Sequence, residues 1–346
     1  MSCCCHHTPV HPFTILTRLY MQRTLTAHLK AWSMKPEILL LKTLYEPTLA
    51  VLEREFTVHK SYLAPDPISY IKHHCANVRA AISTTTTEVT RAHFEALPKL
   101  ELLACYGPYV TLIDLTAARE HKVAVTHTPD STAEPVADLT MGMIVAMLRR
   151  LCEADRFVRS GAWARGLFPS GTEVRGKTCG IVGMGRIGRE IALRAASFGM
   201  KICYFGPRRK DDLPYAYYSD LEAMAREADC LVVACALTLA TRNLIDARIL
   251  AALGAAGYLV NISRGTIVDE SALVSALAGQ QIAGAALDVF ANEPHVPAEL
   301  LHMDNVVLAP HMGTSTREVR EGRGAMLLHD VRAHFAGEAL RYAVSA

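Results

Sequence analysis

From Lys35 onward, short apolar runs alternate with longer stretches in which apolar residues recur at helical spacing. Ile38-Leu39-Leu40-Leu41 precedes a helix-like segment at 47–55, and Phe56-Thr57-Val58, Ala80-Ala81-Ile82, Leu100-Glu101-Leu102-Leu103-Ala104 and Val123-Ala124-Val125 continue the alternation. Such runs read as strands buried on both faces, and strands alternating with helices predict a parallel sheet. A second series begins at Thr178-Cys179-Gly180-Ile181-Val182. It continues through 202–205, 231–234, 258–261, 282–287 and 306–308. Between the two series, 131–150 reads as a long apolar helix with Ser131 or Thr132 as its cap, and 315–335 reads as a helix after the last strand.

The expected architecture is α/β with two Rossmann-like domains. A doubly wound parallel-sheet domain at 130–314 is inserted into a flavodoxin-like domain made of 34–129 plus 315–346. Residues 1–33 differ in character: they carry Arg18, Arg23 and Lys30 but no Asp or Glu. They are expected to be a poorly ordered extension or to precede the true start at Met34, while a transit peptide remains open.

Composition narrows the function classes. In 346 residues, 51% are hydrophobic and 20% charged, as in globular chains, and no uninterrupted apolar run of about eighteen residues predicts a membrane span. A net charge of +2 without basic and aromatic residues interleaved argues against nucleic acid as a partner. The ten cysteines show no zinc-ligand spacing, so they read as reduced thiols with no metal, in a reducing, cytoplasmic compartment.

The chemistry is carried by the second series. Gly183-Met184-Gly185-Arg186-Ile187-Gly188 fits G-x-G-x-x-G, directly after the strand Ile181-Val182 and before a helical stretch expected at 189–198. In that context Gly183 permits the tight turn, Gly185 lets backbone approach a pyrophosphate, and Gly188 allows close helix–strand packing. The end of the next strand selects the cofactor. It reads Phe205-Gly206-Pro207-Arg208-Arg209-Lys210, with no carboxylate for a ribose hydroxyl and two guanidinium groups for a 2′-phosphate. NADPH is therefore the expected cofactor, with NADH as the other possibility and a merely solvated basic loop as the bland alternative.

Three polar residues fall at or near the carboxyl ends of strands in the same series: Arg264, Glu293 and His311. Reduction of a 2-oxo acid needs a cation for the carboxylate, a proton donor for the developing alkoxide and a partner that keeps the donor charged. A carboxylate beside an imidazole favours imidazolium, so Glu293 is expected to keep His311 able to donate.

From about Pro36 to Tyr342 the chain resembles the D-isomer-specific 2-hydroxyacid dehydrogenases, and most nearly their glyoxylate/hydroxypyruvate and hydroxyphenylpyruvate reductase branch. The resemblance rests on Gly183–Gly188, Asn261–Glu270 (NISRGTIVDE), Leu287–Pro294 (LDVFANEP) and Ala309–Gly313 (APHMG). It implies that Arg264 binds the substrate carboxylate and carbonyl, His311 is the general acid/base and Glu293 supports it. It also implies that Asp288 contacts the nicotinamide amide, that backbone near Ile262 lines the nicotinamide pocket, and that homodimers form through the cofactor domain. The active site is then expected in the cleft between the domains.

One departure stands out. Where the family has Gly-Val-Gly-x-Asp-x-Ile-Asp, a loop whose amides hold the substrate carboxylate, this chain has Tyr106-Gly107-Pro108-Tyr109-Val110-Thr111-Leu112-Ile113-Asp114. Pro108 lacks an N–H, and Tyr109 and Thr111 replace a glycine and an aspartate. Tyr106 and Gly107 remain the expected substrate contacts. Three readings stay open: a pocket reshaped by Tyr109 or Tyr106, a weakened grip with low activity, or Tyr109 turned outward with little effect. The resemblance also admits a cofactor-sensing binding protein, because the family includes transcriptional corepressors.

Overall fold

A computed structural model describes residues 35–129 and 132–344. The expectations for residues 1–33 and for Ser131 as a cap lie outside the described residues. Two compact units are present, one holding 35–129 with Arg320 onward and the other 132–319.

In the first unit five parallel strands stand in the order β2-β1-β3-β4-β5. They are β1 (Glu37–Leu40), β2 (Thr57–Lys60), β3 (Ala80–Thr84), β4 (Leu102–Tyr106) and β5 (Ala124–Thr126). The inner strands are mostly apolar because both faces are covered. Leu39, Ala81 and Leu103 pack with Ile71, Phe94 and Ala117 on one side, while Ile38, Ile82 and Leu102 pack with Leu52, Leu327 and Val331 on the other. The strand expected at 100–104 lies two residues later. Leu100 donates to the Leu97 carbonyl in a turn, and pairing with β3 starts only at Leu102.

In the second unit seven parallel strands follow the order β12-β11-β10-β9-β6-β7-β8. They are β6 (Thr178–Val182), β7 (Lys201–Phe205), β8 (Ala216–Tyr218), β9 (Cys230–Val233), β10 (Tyr258–Asn261), β11 (Gly284–Leu287) and β12 (Val306–Leu308). The order reverses beside β6, which pairs with β7 on one side and β9 on the other, Val182 standing opposite both Phe205 and Val233. A switch point of this kind leaves a crevice at the carboxyl ends of the strands. Strand β8 has no counterpart in the apolar pattern, being a short edge strand of Ala, Tyr and Tyr just after Pro214.

The stretch expected as one helix at 131–150 ends at Leu148, and a separate helix at Leu151–Arg159 follows a left-handed Arg150 (φ 55°). Thr132 occupies the cap position of the first of these, but its side chain makes no capping hydrogen bond. Its φ of −93° and ψ of 3° differ from the extended conformation that aims a cap at the first amides. Among the described residues no helix is long and apolar enough to cross a membrane.

The helix Arg317–Ala336 belongs mostly to the first unit, and its Arg332 forks onto Glu55 with contacts of 2.8 and 2.7 Å. That hydrogen bond, against the opposing effect of burial, holds the Glu55 carboxyl below the usual glutamate range. A depressed carboxylate stabilises the fold above its unfolded value and loses that contribution as pH falls through the folded one. Arg332→Ala is therefore expected to cost up to about 1 kcal/mol at neutral pH. The deficit should shrink toward zero below roughly pH 4, as read from urea midpoints of both proteins across pH.

Candidate active site

The glycine-rich turn joins β6 to the helix Arg186–Ser197, three residues earlier than the periodicity places that helix. Gly183 has φ +100°, and a Cβ there would lie 2.6 Å from the Cys235 backbone. A Cβ on Gly188 would lie 2.2 Å from the Gly183 carbonyl oxygen, so helix and turn are in direct contact. Gly185 is different: a Cβ would meet nothing within 4 Å. The turn is thus tight on its inner side and open at Gly185, where the first amides of the helix, at Arg186, Ile187 and Gly188, precede the intrahelical ladder. A cradle of bare backbone at a helix N-terminus suits a pyrophosphate, and the residues present fit a dinucleotide.

Beyond β7, Gly206 is buried while Arg208 and Arg209 are exposed. The loop is held from beneath by Tyr204, whose hydroxyl accepts the Lys210 N–H at 2.7 Å, and by Arg189, which forks onto Asp212. Arg209 and Asp211 stand 3.7 Å apart, with both side chains largely in solvent. Two guanidinium groups are therefore displayed on a braced loop at the strand end next to the cradle.

On the other side of β6, beyond β9, β10 leads into Asn261-Ile262-Ser263-Arg264. Asn261, 1% exposed, donates to the Arg264 carbonyl at 3.1 Å and accepts the Ser263 N–H at 3.2 Å. The Ser263 hydroxyl donates to the Cys235 carbonyl. Ile262 is buried and Arg264 is exposed, with one guanidinium contact to the Ser263 carbonyl at 2.7 Å. Asn261 and Ser263 thus shape the turn that presents Arg264.

After β11 and β12 come the other two residues. His311 Nδ1 lies 2.7 Å from Glu293 Oε2, and Glu293 Oε1 accepts the Phe290 N–H at 3.1 Å. Glu270, from the helix after β10, accepts the neighbouring Ala291 N–H at 3.0 Å. One carboxylate thereby orients the imidazole, and a second fixes the turn that carries the first. His311 itself has φ +51°, a left-handed conformation uncommon outside glycine.

Asp288 is what holds it there. Its carbonyl accepts the His311 N–H at 2.9 Å, and its carboxylate oxygens accept the amides of Met312 at 2.7 Å and Gly313 at 2.9 Å. Burial pushes this carboxyl up, opposed by the two amide hydrogen bonds. Expected at the nicotinamide, Asp288 is placed beneath the 311–313 turn with 1% of its surface exposed. The sequence reading missed this clamp, along with Asn261 and Glu270. Polar residues within or just after the strand-end motifs were the available signal.

The remaining expected residues belong to the first unit, at the end of β4. The Tyr106 hydroxyl donates to the Arg320 carbonyl at 2.7 Å, and Gly107, with φ +149°, donates its N–H to the Cys105 carbonyl at 3.0 Å. The carbonyls of Gly107, Pro108 and Tyr109 engage Thr128 N–H, His127 Nδ1 and the Cys105 thiol in turn. Tyr109 is 52% exposed.

Residues 141–313 match the model of the D-isomer specific 2-hydroxyacid dehydrogenase NAD-binding domain. A glyoxylate/hydroxypyruvate reductase of Arabidopsis thaliana is 42% identical over 289 residues, 84% of this chain and 92% of that protein. The solved 2-hydroxyacid dehydrogenase of Ketogulonicigenium vulgare is 38% identical, with a TM-score of 0.83 over 90% of this chain and 99% of its own. An NADPH-dependent glyoxylate/hydroxypyruvate reductase of Sinorhizobium meliloti, solved with NADP and malonate, is 33% identical with a TM-score of 0.76, covering 90% and 97%. With the glycine cradle and the His–Glu pair at the ends of one parallel sheet, these matches make the chain a member of the D-isomer-specific 2-hydroxyacid dehydrogenases, a family of NAD(P)-dependent oxidoreductases.

Proposed function

We propose that the protein reduces a small 2-oxo acid of the glyoxylate or hydroxypyruvate kind to its D-2-hydroxy acid, with NADPH as the preferred cofactor. The observation that carries the reading is the 2.7 Å contact between His311 Nδ1 and Glu293 Oε2. It stands at the carboxyl edge of a sheet that also presents the Gly185 cradle and Arg264. In this reading 130–314 is the cofactor domain and the flanking segments form the substrate domain.

Gly183, Gly185, Arg186, Ile187 and Gly188 hold the dinucleotide phosphates, Arg208 and Arg209 the 2′-phosphate, and Ile262 the ring face. A bound nicotinamide supplies hydride to the carbonyl carbon of the substrate. Arg264 pairs with the substrate carboxylate through a guanidinium fork that also polarises the carbonyl. With Nδ1 held by Glu293, the proton donor is His311 Nε2, which delivers its proton to the carbonyl oxygen as negative charge develops there. General acid help of this sort is worth roughly 10²–10⁴-fold. Asp288 acts through His311 by keeping the left-handed turn in place.

A second copy of the chain docks on the cofactor domain. Support comes from Leu151, Val158, Trp163 and Leu167, which expose 51, 53, 66 and 93% of their surfaces in one segment. Free cysteines, five of them buried among the described residues, suit a reducing compartment such as the cytoplasm.

Oxidation of NADPH followed with glyoxylate and hydroxypyruvate tests the reading, and absence of turnover on any 2-oxo acid would sink it. His311→Ala is expected to abolish turnover while NADPH still binds, as seen by fluorescence titration; near-normal kcat refutes the assignment. Arg208→Ala combined with Arg209→Ala should raise KM for NADPH far more than KM for NADH, and equal losses rule out the phosphate role. Asp288→Ala strands two amides and should cost about 1–3 kcal/mol in urea unfolding, with kcat falling alongside.

A further inference from the structure

A basic loop selects a phosphate only as well as it keeps its arginines in one place, because ordering a mobile loop at the moment of binding offsets part of the gain. The loop 206–210 after β7 carries Arg208 and Arg209 in the open. Two tyrosines from neighbouring strands hold it. Tyr204 of β7 and Tyr217 of β8 stand opposite each other in the parallel register, with their ring centroids 5.4 Å apart. Both rings pack in the apolar cluster that also contains Ile181, Ile191 and Met200, Tyr204 with 1% of its surface exposed and Tyr217 half-buried.

A buried phenol hydroxyl needs a hydrogen-bond partner, and any nearby carbonyl could serve. Here both hydroxyls go to the same loop, at its two ends. The Tyr217 hydroxyl donates to the Gly206 carbonyl at 3.1 Å. The Tyr204 hydroxyl accepts the Lys210 N–H at 2.7 Å and lies 3.4 Å from the Lys210 carbonyl. Gly206 and Lys210 are thereby tied to adjacent strands, and Pro207, Arg208 and Arg209 span the gap between them. Proline in that span removes one more backbone freedom. The flanks are tied to the glycine turn as well. The Gly183 N–H donates to the Phe205 carbonyl at 2.9 Å, and Arg189, on the helix that the turn opens, forks onto Asp212.

We propose that Tyr204 and Tyr217 are positioning residues that set the preference for NADPH over NADH, by holding both ends of the loop that presents Arg208 and Arg209 to the 2′-phosphate. This deepens the cofactor reading above and rests on it. The hydroxyls act through the loop and not on the dinucleotide, so their loss falls on the phosphorylated cofactor. A dinucleotide without the 2′-phosphate keeps its cradle at Gly185 and is held as before.

Calorimetric titration of NADP⁺ and of NAD⁺ into the parent protein, Tyr217→Phe, Tyr204→Phe and the double variant tests this without any turnover. Each single variant should bind NADP⁺ roughly three- to tenfold more weakly, the range of one lost hydrogen bond, with Kd for NAD⁺ changed less than about twofold. Tyr258→Phe is the control: its hydroxyl lies 3.3 Å from that of Thr172, at the start of β10 and so at the opposite edge of the same sheet, and its loss should move neither Kd. Should the fully buried Tyr204 tolerate no change, Tyr217→Phe carries the test alone. An NADP⁺ Kd in Tyr217→Phe within about twofold of the parent overturns the inference, as does an equal loss for both dinucleotides, which would mark a general loosening of the sheet. A parent that binds NADP⁺ no more tightly than NAD⁺ overturns the cofactor reading itself, and the inference with it. A parent with the preference and a variant that keeps it overturns the inference alone.

Discussion

Parallel strand pairing is the constraint on which the rest depends. Because β6, β10, β11 and β12 run the same way, the segments that follow them leave the sheet at one edge, and residues far apart in sequence become neighbours there. An antiparallel partner anywhere in that set would send one of them to the opposite edge. The ladder demands strands buried on both faces, which is why Cys230-Leu231-Val232-Val233 is apolar throughout and its neighbours are polar only at their ends. It also demands that polar chemistry begin only where each strand ends.

What happens at those ends is a series of short clamps in which side chains hold backbone amides. Asn261 holds the Arg264 turn, Glu270 and Glu293 hold the 290–291 turn, and Asp288 holds 311–313. Each is a polar group at or near the edge of an apolar core. Each is satisfied by amides that would otherwise lack partners in an irregular segment. The consequence is that His311 is oriented twice, by Glu293 through its ring and by Asp288 through its backbone. A left-handed histidine is tolerable under such over-determination and unfavourable without it.

The first unit shows a different solution at the equivalent edge of its own sheet. Its turn after β4 directs three successive carbonyls into protein donors, and a helix from the far end of the chain brings the Arg320 carbonyl to the Tyr106 hydroxyl at the same strand end. The contact that permits this is the absence of a side chain at Gly324 against Thr48. A small packing choice in the C-terminal helix thus decides how closely that helix approaches the helix Glu46–Glu55.

By itself the sequence determined the fold class, because buried parallel strands and amphipathic helices have distinct periods that need no tertiary information. It also determined the turn between β6 and its helix, since three glycines at that spacing after an apolar run leave few other conformations. Family membership was legible for the same reason, the motifs being local. The edge strand β8 escaped because a short half-exposed strand carries no periodic signal, and the exact ends of β4 because apolar residues continue from the preceding turn into the strand. Only the tertiary structure decided that Asp288 faces the 311–313 amides and that Glu293 meets His311. It alone brought the Arg320 carbonyl onto the Tyr106 hydroxyl at the end of β4. Those are contacts between segments whose approach is set by sheet register and helix packing, quantities that no local pattern encodes.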